Sequence, residues 1–113
     1  MATLGQDPLS PKSSVSLEIN VKPDALAVQP VGRNWPSYNG DYSGQRYSSL
    51  DQINAKNAGS LRAQWVFHAP NSDRLEVTPV VVEGLMFVTS ANDAYALDAQ
   101  TGRVVWHLSL IHI

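Results

Sequence analysis

The chain is predicted to be all-β, with an antiparallel four-stranded meander at its centre and an extended N-terminal arm. Between Thr78 and Ser109 it carries four short runs rich in apolar and β-branched residues, and each run is separated from the next by turn-forming residues. No long helix is predicted anywhere. The length of 113 residues and the hydrophobic share of 43% fit one small globular domain.

The first part of the chain, residues 1–32, is predicted to be a flexible or extended arm. It contains four of the seven prolines and few large apolar residues, so it buries too little surface to offset its ordering entropy. Its start lacks the basic segment and apolar core of a signal peptide. Within the arm, "LEINV" (residues 17–21) is expected to form one isolated strand, and residues 33–113 form the folded part.

Asn34 to Leu50 is rich in glycine, asparagine, serine and tyrosine, which are common in tight turns. We expect either an ordered surface loop pinned by its aromatic residues or a loop that stacks against a sugar or nucleotide. Asp51 is then predicted to cap a short helical turn that ends at Gly59. The alternation in "LRAQWVF" predicts a strand over Leu61–Phe67.

The meander follows from the turns between its runs. A strand over Thr78–Val82, with Pro79 tolerated near its start, precedes the two-residue turn "EG" and the returning strand "LMFVTS". The turns "AND" and "AQTG" then separate a third strand, "AYALD", from a fourth, "RVVWHLS".

The predicted sheet is apolar on both faces, so it needs cover on both sides. One set of alternating residues comprises Val80, Val82, Leu85, Phe87 and Val104, and the other comprises Val81, Met86, Val88 and Val105. Blades of a β-propeller meet this need because each sheet packs between two others. The pattern therefore predicts a blade whose neighbours lie outside this chain.

Composition and motif searches exclude several function classes. A formal net charge of -2 gives no basic face for nucleic acid, and no apolar run is long enough to span a membrane. Without cysteine there is no disulfide or thiolate chemistry. His68, His107 and His112 are not at metal-ligand spacings, and no phosphate-binding glycine loop or nucleophile elbow is present.

Three segments together resemble the quinoprotein alcohol and glucose dehydrogenases, which depend on pyrroloquinoline quinone (PQQ). They are "NWPSYNGDYSGQRYSSLDQINAKNAGSLRAQWVF", "LEVTPVVVEGLMFVTSANDAYALD" and "ALDAQTGRVVW". The resemblance implies the N-terminal fragment of an incomplete eight-bladed propeller, with residues 33–113 forming the pre-blade segment and the first blade. The apolar end of the chain, Leu108–Ile113, is expected to continue the fourth strand.

The third segment is similar to the family's tryptophan-docking motif, whose positions Ala96, Asp98, Thr101, Gly102 and Trp106 match. We expect Asp98 to accept hydrogen bonds from the turn, and Ala96 to leave room for an indole. The resemblance also suggests that Leu61–Phe67, with Trp65, supplies the outer strand of the last blade and closes the ring.

By resemblance Glu76 is the candidate cofactor-binding residue, in the family pattern Glu-x-x-Pro-Val. The alternative is a solvated loop carboxylate beside Arg74. No catalytic residue and no metal ligand of the family can be carried onto this chain. Without cysteine, it also lacks the haem attachment motif of many family members.

For the intact protein the resemblance implies PQQ with calcium or a lanthanide, oxidation of an alcohol or sugar, and a periplasmic location. Electrons would pass to a cytochrome or quinone, whereas the fragment alone is expected to be inactive and to bind no cofactor. Two other functions stay open: a non-catalytic propeller scaffold, and a free-standing β-domain that binds a partner through its open edge.

Overall fold

The four strands predicted between Thr78 and Ser109 form one sheet, and the predicted turns join them. The structure is a computed structural model that describes residues 18–70, 72 and 74–110, within which it has four strands and one short helix. The elements are α1 (Pro23–Leu26), β1 (Val80–Val82), β2 (Leu85–Thr89), β3 (Asp93–Asp98) and β4 (Val104–Ser109). The four strands form one antiparallel sheet in the order β1-β2-β3-β4, which confirms the predicted meander.

The β1–β2 hairpin turns at Glu83 and Gly84, whose φ values are +52° and +84°. Two successive positive φ angles match the right-handed twist of the flanking strands, which explains the two-residue turn. Glu83 is a non-glycine residue in this conformation, and Asn34 supports it because its side-chain oxygen accepts the Glu83 N–H at 3.1 Å.

The sheet has a covered face and an open face. The covered face carries Met86, Val88, Tyr95 and Leu97, and partly buried Trp65, Phe67, Ala69 and Val77 pack against it. The open face carries Leu85, Phe87 and Ala96, with Trp106 opposite Ala96. A cleft of about 460 Å³ on this side is lined by Ile19, Leu85, Phe87, Val105 and Trp106.

The assignment of Val104 to the set of Val80 and Phe87 is wrong. A register shift between Ala96 and Leu97 places Val104 opposite Leu97, on the covered side. One extra residue on a strand reverses the face of every residue beyond it, so strict alternation does not continue through such a shift.

The prediction of a strand over Leu61–Phe67 is also wrong. The segment has no strand assignment, yet Trp65 and Phe67 alternate onto the covered face. The alternation therefore reflects side-chain packing on the sheet, without hydrogen-bonded strand pairing.

The predicted helical turn is displaced. Asn54, rather than Asp51, organises it, because its side-chain oxygen accepts the N–H groups of Lys56 and Asn57. A 3₁₀ turn follows over Ala58–Ser60, so Gly59 lies inside the helical turn and does not end it.

In the arm, residues 18–21 form no strand, while Leu17 lies outside the described residues. The single helical turn α1 follows. Val31 is buried and pairs with Ser48, so the arm is tied to the folded part near its end. The division of the chain at residue 32 stays a prediction.

The turn between β3 and β4 is organised by Asp98. Its carboxylate accepts the Gln100 N–H at 2.9 Å, and its backbone carbonyl accepts the N–H groups of Thr101 and Gly102. The expectation that Asp98 accepts hydrogen bonds from this turn is confirmed. Gly102 has a φ of +76°, a conformation that favours glycine.

An indole lies on this turn, and it belongs to Trp65. The Trp65 Nε1–H donates to the Ala99 carbonyl at 3.1 Å. The ring lies so close to Gly102 that an added Cβ would be 2.5 Å from it. The contact joins residues far apart in the chain, and it holds the 61–69 segment on the covered face.

Trp106 occupies the edge strand of the sheet, as predicted. It lies opposite Ala96, which is fully buried, and its ring contacts Phe87 at a centroid distance of 6.1 Å. Trp106 nevertheless stays 44% exposed, so the open face retains an uncovered indole.

Asp93 and His107 join β3 to β4 near one end of the sheet. Asp93 Oδ1 lies 2.8 Å from His107 Nε2, and the imidazole stacks on Tyr95 with centroids 4.4 Å apart. The hydrogen bond to His107 lowers the pKa of the Asp93 carboxyl below 3.8. Burial raises the pKa of Tyr95, and the Asp93 charge acts in the same direction.

The Gly102→Ala substitution is expected to destabilise the chain by more than the positive φ angle alone would. The backbone conformation costs an L-residue about 1–2 kcal/mol, and the new Cβ also meets the Trp65 ring. Gly44→Ala is the matched control, because Gly44 has a φ of +71° and no atom near its Cβ position. Urea denaturation of both variants measures the difference, and equal losses would contradict the close contact.

The Asp93–His107 pair is expected to make stability fall in acid. Because the folded pKa of Asp93 is lowered, its contribution is present above the ordinary value of 3.8. That contribution is lost as pH drops through the folded pKa. A pH titration of the Asp93 carboxyl by NMR should show the low pKa. His107→Phe keeps a ring on Tyr95 and should raise the Asp93 pKa, whereas an unchanged pKa would contradict this cause.

Candidate functional site

Glu76 lies on the segment that leads into β1, two residues before Thr78. The next residue, Val77, packs against the covered core, whereas Glu76 is exposed. Within the part of the chain that the structure describes, its carboxylate forms no ion pair, including with Arg74. The carboxylate is thus an accessible acceptor with no protein partner in these residues.

The loop 34–48 lies beside this segment and is attached to the free edge of β1. Trp35 and Val81 exchange two backbone hydrogen bonds, of 2.7 and 2.9 Å. The Trp35 indole packs on Gly40, where an added Cβ would be 3.0 Å from the ring. Trp35 is therefore the aromatic residue that anchors the loop.

Tyr38, Tyr42 and Tyr47 are exposed. This combination fits an aromatic-anchored surface loop, while stacking against a sugar or nucleotide stays a prediction.

Arg46 connects the loop to the Glu76 segment. Its Nη1 donates to the Tyr38 carbonyl at 3.0 Å and to Asn39 Oδ1 at 2.9 Å. Its Nη2 donates to Thr78 Oγ1 at 3.5 Å. The guanidinium also lies 5.0 Å from the Tyr38 ring centroid and 5.9 Å from that of Trp35, within the range of a cation–π contact.

Sequence reasoning missed Arg46. Its partner Thr78 is 32 residues away, and its φ of +56° is not expected from its residue type. The one available signal is an arginine in a segment with several aromatic residues, because aromatic faces attract guanidinium groups.

The described residues contain no group of three or more histidine, cysteine, aspartate or glutamate side chains that could bind a metal. His107 is paired with Asp93, His68 is exposed, and His112 lies outside the described residues. None of the helices in this part of the chain has the length and apolar character needed to cross a membrane. The described residues therefore offer one candidate binding carboxylate, that of Glu76, and a cationic residue, Arg46, that contacts Thr78 two residues further along the chain.

Comparison with known families gives a match over residues 35–111. The matching model describes the β-propeller domain of glucose, ethanol and alcohol dehydrogenases that use PQQ. The matched range includes Glu76, Arg46, the turn between β3 and β4, and all four strands.

Several curated proteins are similar to this chain. The quinohemoprotein alcohol dehydrogenase of Comamonas testosteroni is 40% identical over 74 residues, which are 65% of this chain and 10% of that protein. The quinoprotein glucose dehydrogenase of Escherichia coli is 38% identical over 93 residues, covering 74% of this chain and 12% of its own length. The 1-butanol dehydrogenase (cytochrome c) of Thauera butanivorans is 38% identical over 77 residues, covering 67% and 11%.

The crystal structure of the Comamonas testosteroni enzyme matches with a TM-score of 0.63 at 39% identity, over 67% of this chain and 12% of that chain. The four-stranded sheet is accordingly a part of a propeller fold. This chain spans about a tenth of the length of these relatives. It belongs to the PQQ-dependent glucose, ethanol and alcohol dehydrogenase β-propeller family.

Proposed function

We propose that this chain is the first-blade region of a PQQ-dependent dehydrogenase that oxidises an alcohol or a sugar. The observation that carries the proposal is a family match over residues 35–111 that includes Glu76, an exposed glutamate just before β1 that forms no ion pair with any described residue. The named relatives support the substrate class, since they act on alcohols or glucose.

Glu76 is the proposed cofactor contact. An ionised carboxylate only accepts hydrogen bonds, so it suits an N–H or protonated group of the cofactor. Its exposure and lack of a partner in the described residues leave both oxygens available, which fits such a ligand. When bound, PQQ would accept two electrons from the substrate. The role of Glu76 is to hold and orient the cofactor at the mouth of the ring.

We propose that the open face and the 61–69 segment form contacts between blades in the intact propeller. The open face, with Trp106 uncovered, packs against the next blade of an eight-bladed propeller. The 61–69 segment, docked on the covered face through Trp65, belongs to the blade that closes the ring.

The rest of the chemistry lies in parts of the intact protein beyond these residues. A calcium or lanthanide ion would be held there by carboxylate and amide oxygens and would act as a Lewis acid, together with a catalytic base. Electrons would leave to a cytochrome or a quinone. The similarity to the 1-butanol dehydrogenase (cytochrome c) of Thauera butanivorans supports a cytochrome. We propose a periplasmic location for the intact protein, as for the family that it resembles.

The test is the Glu76→Gln substitution in the full-length dehydrogenase that carries this chain. Loss of a charged hydrogen-bond acceptor should raise the Kd for PQQ about tenfold or more. Titration of the apoenzyme with PQQ, followed by quenching of protein fluorescence, measures this affinity without requiring turnover.

Glu83→Gln is the matched control, because Glu83 is an exposed glutamate at the opposite end of β1 whose neighbour is Asn34. It should leave PQQ affinity unchanged. An unchanged Kd in the Glu76 variant would remove Glu76 from the cofactor site. A full-length protein that binds no PQQ would favour the non-catalytic scaffold.

A further inference from the structure

We infer that Arg46 is a positioning residue for Glu76, and that it acts by fixing the segment on which Glu76 lies. This inference rests on the proposed function, because it assigns Arg46 to the same cofactor site. It goes further by naming the part of the fold that determines where the Glu76 carboxylate points.

The segment from Glu76 to Thr78 is held at two places, and neither is Glu76 itself. Val77 packs into the covered core, and Thr78 Oγ1 accepts the hydrogen bond from Arg46 Nη2. Pro79 follows Thr78 and restricts it to an extended backbone conformation. With its two following residues fixed, Glu76 has a defined direction even though its side chain forms no hydrogen bond or ion pair with the residues that the structure describes.

Arg46 is also held, by a second route, to β1, the strand that follows this segment. Trp35 pairs with Val81 on the edge of β1, and the Arg46 guanidinium lies over the Trp35 and Tyr38 rings. The Tyr38 carbonyl accepts hydrogen bonds from both Arg46 and the Trp35 indole. The contacts therefore form a closed circuit that leaves β1 at Val81 and returns to the chain at Thr78, two residues before β1 begins.

The circuit depends on the shape of the guanidinium as well as on its charge. One planar group donates to three acceptors and stacks on aromatic rings, which a lysine ammonium does not reproduce. Within the described residues no carboxylate pairs with Arg46, so its hydrogen bonds to Tyr38, Asn39 and Thr78 are what hold the guanidinium in place.

The test is a double-substitution cycle in the full-length dehydrogenase, with Arg46→Ala and Glu76→Gln alone and combined. If Arg46 acts through Glu76, Arg46→Ala raises the Kd for PQQ about tenfold in the native background and less than about twofold in the Glu76→Gln background. The readouts are the PQQ titration of the apoenzyme and the rise in Tm that PQQ produces.

Arg62→Ala is the matched control, because Arg62 is an exposed arginine with no side-chain hydrogen bond or ion pair among residues 18–70, 72 and 74–110. It should change neither readout. Should Arg46→Ala not fold, Arg46→Lys serves in the same cycle. It keeps the charge but loses the fork, and it should raise the Kd by a smaller factor that also vanishes with Glu76→Gln.

Three results would overturn the inference. An equal rise in Kd in both backgrounds would mean that Arg46 acts independently of Glu76. A normal Kd for the Arg46 variants, beside a raised Kd for Glu76→Gln, would remove Arg46 and leave the proposed cofactor site intact. If Glu76→Gln has no effect, the assignment of Glu76 and the inference fail together.

Discussion

The contact between Trp65 and the β3–β4 turn is the interaction on which the rest of the folded part depends. The indole lies on Gly102 and donates to the Ala99 carbonyl, so a segment with no strand pairing becomes the cover of the sheet. Phe67 and Ala69 follow it onto the same face, and Val77 completes the cover just before β1. This contact determines which face of the sheet the 61–69 segment covers.

The sequence predicted the sheet well because its signals are local. Turn chemistry at Glu83–Gly84 and at Asp98–Gly102 fixes where the strands end, and β-branched residues fill the strands between them. The predictions failed where two neighbouring residues could play the same role, or where one sequence pattern fits two backbone conformations. Asp51 and Asn54 are both residue types that organise helical turns, and nothing in their spacing indicates that Asn54 is used. Likewise, alternation over Leu61–Phe67 records which side chains are buried and does not reveal whether the backbone pairs.

The two residues of the candidate site differ in the same respect, because the sequence predicted one of them and not the other. Glu76 was found from a motif within a few residues of Pro79, whereas Arg46 was missed because its contacts bring together Tyr38, Asn39 and Thr78. A residue that makes contact with a ligand is often marked by its own short motif. A residue that orients such a group is defined by the folded loop, so it becomes visible only when the loop and β1 are seen together.

Trp65, which packs on the sheet, and Trp106, which lies on its edge strand, have unequal environments. Trp65 is half-buried with its N–H paired, while Trp106 on β4 has an apolar neighbour in Phe87 and stays 44% exposed. Leu108 on the same strand is 55% exposed. An edge strand that presents large apolar side chains invites association, because further burial removes apolar area from water. In the proposed ring that burial comes from the next blade.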